Sequence, residues 1–188
     1  MIWITREHVH VDRVACPWLI KRFIDPEAQF LFFPKEKVME FAKTTGGIPF
    51  DTPGAELHHY ERDGIQHCSF DSLVEKYLKT QVENDEALQK LRKIIRAADT
   101  GNLDVPIAMG IEAIASGTSL IVDTDHEALN VQFPFYDAVY AYLQGEMIIN
   151  KYKSEIEKIK SRGERNTYIK NKIHELSKTY NKQKRSSH

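Results

Sequence analysis

The spacing of apolar residues divides the chain into a few short strands and a longer series of helices. Apolar side chains alternate over residues 1–11 and run together over residues 29–33, and both patterns are typical of strands. Residues 56–60 and 65–70 form two more short alternating segments, and the Asp-Gly pair at 63–64 between them is a strong hairpin signal. The sequence therefore predicts a small strand content that includes one hairpin.

Helical spacing of apolar residues dominates the rest of the chain. Proline suits the first turn of a helix, where its missing N–H has no partner to lose, so we expect helices to begin at Pro17 and Pro134. The other predicted helices cover residues 35–43, 69–78, 85–98 and 107–116. Gly46 and Gly47, where positive φ costs little, should close the first of these, and Ser69 or Asp71 could cap the second. Together these elements predict an α+β fold, a helix-rich compact domain with a few short strands and a C-terminal helical extension.

The C-terminal extension carries two amphipathic stripes of apolar residues at spacings of three and four. The stripes consist of Ile148, Tyr152, Ile156 and Ile159, and then Ile169, Ile173, Leu176 and Tyr180. A Ser-Arg-Gly segment at 161–163 interrupts them. We therefore divide the chain into a domain at residues 1–147 and a basic amphipathic helical extension at residues 148–188.

Charge is distributed unevenly along the 188 residues, although the formal net charge is only -1. Residues 1–150 contain 14 Lys and Arg against 23 Asp and Glu, a net charge of -9, whereas residues 151–188 contain 12 against 4, a net charge of +8. Such asymmetry can mark a partner-binding extension. We consider nucleic-acid binding and a homodimer through the C-terminal helices, and the regular apolar stripe favours the homodimer.

Several classes of protein are excluded by what the sequence lacks. No stretch of about 18 apolar residues predicts a membrane span, the N-terminus has no signal-peptide layout, and two cysteines cannot form a disulfide scaffold. A cytoplasmic protein with no membrane partner is therefore expected. Glycine-rich phosphate and dinucleotide motifs are absent, so we expect no nucleotide cofactor.

Histidines and carboxylates supply the candidate chemistry. Five of the eight histidines precede residue 70, and His8 and His10 would share one face of the first strand. His58 and His59 would point in opposite directions, so at most one of them should join a given site. Asp99 ends an apolar helix, where its charge opposes the helix dipole and a metal would explain it, although a tight turn also would.

Imidazole and carboxylate ligands together suit a divalent Mn, Fe or Zn ion. Each residue also has a simpler interpretation as a core, surface or helix-capping side chain. The predicted metal ligands are Glu56, His58 or His59, Asp99 and His126.

Other residues could support such a site or act by themselves. Asp12, Arg13 and Arg22 would form the surrounding shell or bind an anion, because guanidinium groups match pairs of oxygen atoms. Cys16 is expected near a positive helix end, which would lower the pKa of its thiol, and Cys68 is expected at a strand-to-helix junction. The two cysteines are redox candidates, and buried structural thiols are the alternative.

Several segments, in the same order, resemble the ChrB-type chromate resistance family. The longest is DRVACPWLIKRFIDP at residues 12–26. Shorter ones are IPFDTPGAE at 48–56, CSFD at 68–71, ADTG at 98–101, Asp-His at 125–126 and YDAVY at 136–140. The resemblance spans roughly residues 8–145 and covers only the C-terminal domain of longer family members. It implies a role beside chromate efflux systems, as a sensor or regulator of chromate resistance.

The leading functional hypothesis is a cytoplasmic stress-response protein of this type that senses or binds a metal ion or a chromate-like oxyanion. An alternative is a metal-dependent hydrolase or redox enzyme acting on a small anion, with Asp99 or Glu56 as the base. A third is a regulatory module whose basic tail dimerises or binds nucleic acid. The sequence alone does not decide whether the protein catalyses a reaction.

Overall fold

The computed structural model describes residues 1–102 and 104–186, with side chains described for residues 1–102 and 104–176. The strands are β1 (Ile2–Arg6), β2 (Gln29–Phe33), β3 (Ile48–Pro49), β4 (Tyr60–Arg62) and β5 (Ile65–His67). The helices are α1 (Val11–Leu19), α2 (Val38–Thr45), α3 (Ser69–Tyr77), α4 (Lys79–Asn84), α5 (Glu86–Asp99), α6 (Ala108–Thr118), α7 (Asp125–Lys151), α8 (Lys153–Ile156) and α9 (Arg162–Ser186). The chain is 62% helical, which confirms the predicted α+β class.

A small parallel sheet determines where the candidate functional site forms. Its strand order is β2-β1-β3, so β1 lies in the centre with Trp3 and Ile4 fully buried. The carboxyl ends of parallel strands meet at one edge of a sheet, and in open α/β sheets this edge is where ligands bind. Here that edge carries the end of β1 at Arg6 and the residues that follow β3.

The first strand is shorter than the sequence predicted. β1 ends at Arg6, and His8 has a φ of 60°, a left-handed conformation that is incompatible with a strand. The expectation that His8 and His10 share one strand face is therefore wrong. The carboxylate of Asp125 accepts the backbone N–H groups of His8 and Val9 and thereby fixes this turn.

Three helices pack together beside the sheet. α1 contacts both α3 and α5, and α3 contacts α5. These helices carry large apolar side chains that are almost fully buried: Trp18, Leu19, Phe70, Leu73, Leu88 and Leu91. This packing brings the start of α1, the start of α3 and the end of α5 into one region.

Both prolines that were expected to begin helices lie inside them. α1 begins at Val11, six residues before Pro17, and is followed by a π-helical turn over Ile20–Ile24; α7 begins at Asp125, well before Pro134. An interior proline removes one backbone hydrogen bond. In α1, complete burial of Val11 and Val14 stabilises the turn before the proline, and sequence spacing does not reveal that packing.

The turns that depend on positive φ form as predicted. α2 ends at Gly46, whose φ is 69°. Strands β4 and β5 pair as an antiparallel hairpin, and its two turn residues, Asp63 and Gly64, have φ values of 54° and 72°. Positive φ at both central positions is what a two-residue hairpin turn of type I′ requires.

The chain divides into two compact units, Met1–Asp137 and Ala138–His188. Within the second unit Ile148 and Ile156 are buried, and the rings of Tyr152 and Tyr168 meet edge to face with centroids 6.2 Å apart. The helical break covers residues 157–161, so it includes Ser161 of the predicted Ser-Arg-Gly segment, whereas Gly163 lies inside α9. The Tyr180 side chain lies outside the described residues, and a separate domain beginning at residue 148 stays a prediction.

In the described chain, no helix combines the length and apolar character needed to cross a membrane.

Packing between α1, α3 and α5 predicts the effect of truncating a core residue. Leu91 is fully buried, so Leu91→Ala should lower the free energy of unfolding by roughly 2–5 kcal/mol, because apolar contacts are lost and a cavity remains. Urea unfolding followed by circular dichroism measures this change. Lys93→Ala, at an exposed position of the same helix, is the control and should change the value by less than about 0.5 kcal/mol. Equal effects of the two substitutions would contradict the assigned core.

Candidate functional site

Three carboxylates and one imidazole converge at the carboxyl edge of the parallel sheet. Asp12 lies in the first turn of α1, Asp51 follows β3, His59 precedes β4, and Asp99 is the last residue of α5. The side chains of Asp12 and Asp51 are almost completely buried, and that of Asp99 is 13% exposed. The His59 side chain is 35% exposed, so it forms the solvent-facing side of the cluster.

The His59 ring is the centre of this cluster. Its Nε2 atom lies 3.2 Å from Asp51 Oδ1, 3.4 Å from Asp12 Oδ2 and 3.4 Å from Asp99 Oδ2. Hydrogen bonds with Asp12 and then with Asp51 raise the pKa of His59 to about 10. With no other cation in this position, His59 is therefore protonated at neutral pH and carries the charge that faces the carboxylates.

Asp12 is held by the N-terminus of α3. Its Oδ2 accepts the backbone N–H of Ser69 at 2.6 Å, and its Oδ1 accepts that of Phe70 at 3.1 Å. A carboxylate at this end of a helix is stabilised by free N–H groups and by the helix dipole. Asp12 thus occupies the N–H groups that an external anion would otherwise use.

Asp51 is anchored from several directions. Its Oδ2 accepts hydrogen bonds from Arg6 at 2.8 Å and Arg13 at 3.0 Å, and its Oδ1 accepts one from the Ser69 hydroxyl at 2.8 Å. Burial alone would raise the pKa of this carboxyl, but the hydrogen bond with His59 and the charges of both arginines hold it well below its usual range. Asp51 is therefore ionised at neutral pH in spite of its burial.

Asp99 is the carboxylate of this cluster whose charge is least stabilised by its surroundings. Its Oδ2 is buried, and among the described residues no group donates a hydrogen bond to it, although His59 Nε2 is 3.4 Å away. Burial first, and the charge of Asp12 second, raise the pKa of Asp99 to about 7. A buried carboxylate oxygen without a donor is costly, so this oxygen points to a missing partner.

Both cysteines are buried next to the carboxylates and are free thiols. Cys16 lies inside α1 and donates a hydrogen bond from its thiol to Asp12 Oδ1 at 3.4 Å; Cys68 immediately precedes α3, as predicted. Burial, reinforced by the charge of Asp12, raises the pKa of both thiols. The predicted lowering of the Cys16 pKa is wrong, because this residue is buried within a helix and does not lie at its positive end.

A second ionic cluster fixes α3 against α5. Asp71, which is fully buried, accepts hydrogen bonds from Arg92 and Arg96, while Glu75 binds Arg92 and the hydroxyl of Tyr60. The sequence presents Asp71 as a possible helix cap and as part of the resembling segment at 68–71, and does not reveal its arginine partners. The two arginines occur one helical turn apart in α5, which is the available signal that they share a partner.

Two of the predicted metal ligands, His59 and Asp99, lie in the carboxylate cluster, and others lie elsewhere. Glu56 is mostly exposed and binds Lys76 at 2.5 Å. The ring of His58 lies 5.5 Å from that of His59, with its Nδ1 atom buried. His126 contacts the edge of Phe32 in a separate cleft of about 750 Å³.

Of the three residues predicted to surround the metal ligands or bind an anion, two belong to the cluster and one does not. Asp12 and Arg13 belong to the cluster, Asp12 as a member of its inner group, whereas Arg22 binds Asp137 at 2.7 Å near the surface. Sequence reasoning missed Asp51 and Arg6. Asp51 lies in a segment that contains proline and glycine and matches no helix or strand pattern, so the available signal is its place in the resembling segment at 48–56.

Comparison with known proteins gives a consistent result. A family model described as the C-terminal domain of ChrB matches residues 3–143. The protein ChrB of Cupriavidus metallidurans is 34% identical over 140 residues, which are 74% of this chain and 40% of that protein. The chain thus matches well under half the length of this relative. No solved structure matches the chain.

The protonation of His59 predicts a pH dependence of stability. Because folding raises the pKa of His59 from 6.5 to about 10, its stabilising contribution is complete below pH 6.5 and is lost as the pH rises through 10. Without added metal, the difference in free energy of unfolding between wild type and His59→Gln should therefore shrink from pH 6 to pH 10. Urea titrations across this range measure it. His126→Gln should follow the wild type, and a difference that stays constant or grows would contradict the prediction.

Proposed function

The chain belongs to the ChrB-type chromate resistance family, whose C-terminal domain it matches, and on this basis we propose that it is a metal-binding domain acting in chromate resistance. A divalent metal ion is held by Asp12, Asp51, His59 and Asp99. The metal would be the signal or the cofactor through which the domain acts.

One observation carries this proposal: three carboxylate oxygens surround a single imidazole nitrogen. His59 Nε2 carries at most one proton, which points in one direction, so it cannot satisfy three separate carboxylates at 3.2–3.4 Å. The buried Oδ2 atom of Asp99 receives no hydrogen bond from any residue that the structure describes. A metal ion accepts ligands from several directions at once and would satisfy all four groups.

The spacing of these atoms supports the same proposal. Oxygen and nitrogen ligands bind zinc at about 2.0–2.2 Å, so two ligands on neighbouring corners of a tetrahedron lie roughly 3.4 Å apart. The separations from His59 Nε2 match this value. Asp12, Asp51 and His59 have ligand atoms that all lie within 4.8 Å of one another. Only small movements are needed to place them around one ion.

Electrostatics favour a cation over an oxyanion in this position. The α3 N-terminus is already occupied by Asp12, and both Arg6 and Arg13 donate to Asp51. An anion would therefore face three carboxylates, whereas a divalent cation replaces the proton of His59. A chromate-like oxyanion is a proposed partner only as a further ligand of the bound metal.

Metal content provides a direct test. Protein purified without chelator, or dialysed against Mn²⁺, Fe²⁺ or Zn²⁺, should contain about one equivalent of metal by elemental analysis. His59→Gln and Asp99→Asn each remove one ligand and should weaken binding by at least about tenfold, since even the residues that merely support ligands contribute that much.

His126→Gln is the matched control, because it makes the same substitution in a separate cleft and should retain full metal content. Less than about a tenth of an equivalent of every metal in the wild type would refute the proposal. Equal losses in His59→Gln and His126→Gln would refute this choice of ligands.

A further inference from the structure

Resting on the metal site proposed above, we propose that the thiol of Cys68 is an additional ligand of that site, so that the domain prefers a zinc-type ion to Mn²⁺ or Mg²⁺. Thiolate is a soft ligand that selects zinc and similar metals, whereas carboxylates and water alone suit manganese and magnesium. Cys68 would thus determine which metal the site takes.

Cys68 lies against the same carboxylates as His59. Ligand atoms of Asp12, Cys68 and Asp99 all lie within 4.8 Å of one another, as do those of Asp12, Asp51 and His59. The two groups share Asp12, and Asp99 Oδ2 also lies 3.4 Å from His59 Nε2. Cys68 and His59 therefore lie beside the same two carboxylates, Asp12 and Asp99.

The distances allow a single ion to bind both sulfur and oxygen. Zinc–sulfur bonds are about 2.3 Å and zinc–oxygen bonds about 2.1 Å, so the two ligands lie roughly 3.6–4.4 Å apart on one ion. The ligand atoms of Asp12, Cys68 and Asp99 lie within 4.8 Å of one another, so each separation exceeds this range by a few tenths of an ångström at most. Side-chain rotation of Asp99, whose Oδ2 accepts no hydrogen bond from the described residues, can close that difference.

The fold holds the Cys68 sulfur firmly in place. Cys68 is fully buried directly before α3, and its backbone N–H donates to Asp71 Oδ2 at 3.1 Å. Asp71 is in turn held by Arg92 and Arg96 from α5, the helix that ends at Asp99. The second ionic cluster therefore orients two proposed ligands, Cys68 and Asp99, relative to each other.

Cys16 provides an internal contrast. It is equally buried, but its thiol donates a hydrogen bond to Asp12 Oδ1, and it belongs to neither group of converging ligand atoms. Its thiol supports Asp12 through that hydrogen bond. Two buried thiols thus contact the same region, and the geometry assigns only Cys68 to the metal.

Metal binding that includes Cys68 releases protons and transfers no electrons. A coordinating thiol is deprotonated, so formation of the metal–sulfur bond breaks the S–H bond of Cys68 and releases that proton to solvent. His59 loses its Nε2 proton to solvent in the same event. Neither cysteine changes oxidation state, so no oxidant or reductant is required.

Cobalt(II) spectroscopy tests this assignment. Co²⁺ replaces zinc in such sites, and a thiolate ligand gives it an intense near-ultraviolet charge-transfer absorption that oxygen and nitrogen ligands do not produce. Wild type with Co²⁺ should show this absorption together with the weaker visible bands of bound cobalt. Cys68→Ser should lose the charge-transfer absorption and keep bound cobalt, whereas Cys16→Ser should retain both.

Metal competition provides the second readout. The preference of the wild type for Zn²⁺ over Mn²⁺ should fall at least about tenfold in Cys68→Ser and remain in Cys16→Ser. Circular dichroism and urea unfolding show whether each variant is folded, and the wild-type spectrum tests the thiolate even if Cys68→Ser does not fold.

These measurements distinguish a wrong assignment of Cys68 from the absence of the metal site itself. Cobalt bound to the wild type with visible bands but without charge-transfer absorption would overturn the role of Cys68 and leave the metal site in place. Charge-transfer absorption that persists in Cys68→Ser and disappears in Cys16→Ser would also overturn it. Absence of bound cobalt, zinc and manganese from the wild type would instead overturn the metal site itself.

Discussion

The buried carboxylate of Asp12 on the first N–H groups of α3 is the contact on which the site depends. Asp12 is a residue of α1, and its carboxylate accepts hydrogen bonds from the first N–H groups of α3. The same carboxylate faces both His59 and Asp99. It therefore links the loop before β4 and the end of α5 to two packed helices. Because ionised carboxylates are buried only when they have partners, the fold must supply donors for Asp12 before the remaining groups can assemble around it.

Charge balance explains why so many carboxylates can lie together. Asp51 has Arg6 and Arg13, Asp71 has Arg92 and Arg96, and Asp12 has the backbone of α3. Asp99 lacks such support. Its raised pKa and its Oδ2 without a donor among the described residues are the local signs that the carboxylates outnumber their protein partners at the centre of the cluster.

The sheet explains why these groups meet where they do. In the order β2-β1-β3, the carboxyl ends of β1 and β3 are neighbours, and Arg6 and Asp51 therefore come together although they are 45 residues apart in sequence. Ligand sites in open α/β sheets form at such edges because the connecting segments separate there and leave a crevice. The family match to residues 3–143 includes every residue of this cluster.

The sequence by itself determined the fold class, the family, the hairpin with its Asp-Gly turn, and the end of α2 at Gly46, because these depend on local spacing and on residues with special backbone freedom. It also named Asp99, and one of His58 and His59, as candidate ligands by their chemistry. Only the tertiary structure decided that Asp51 joins them, that Glu56 and His126 lie elsewhere, and that α1 and α7 continue through proline. Those outcomes depend on burial, parallel strand pairing and helix packing between residues far apart in the chain, and periodicity along a sequence contains no information about such contacts.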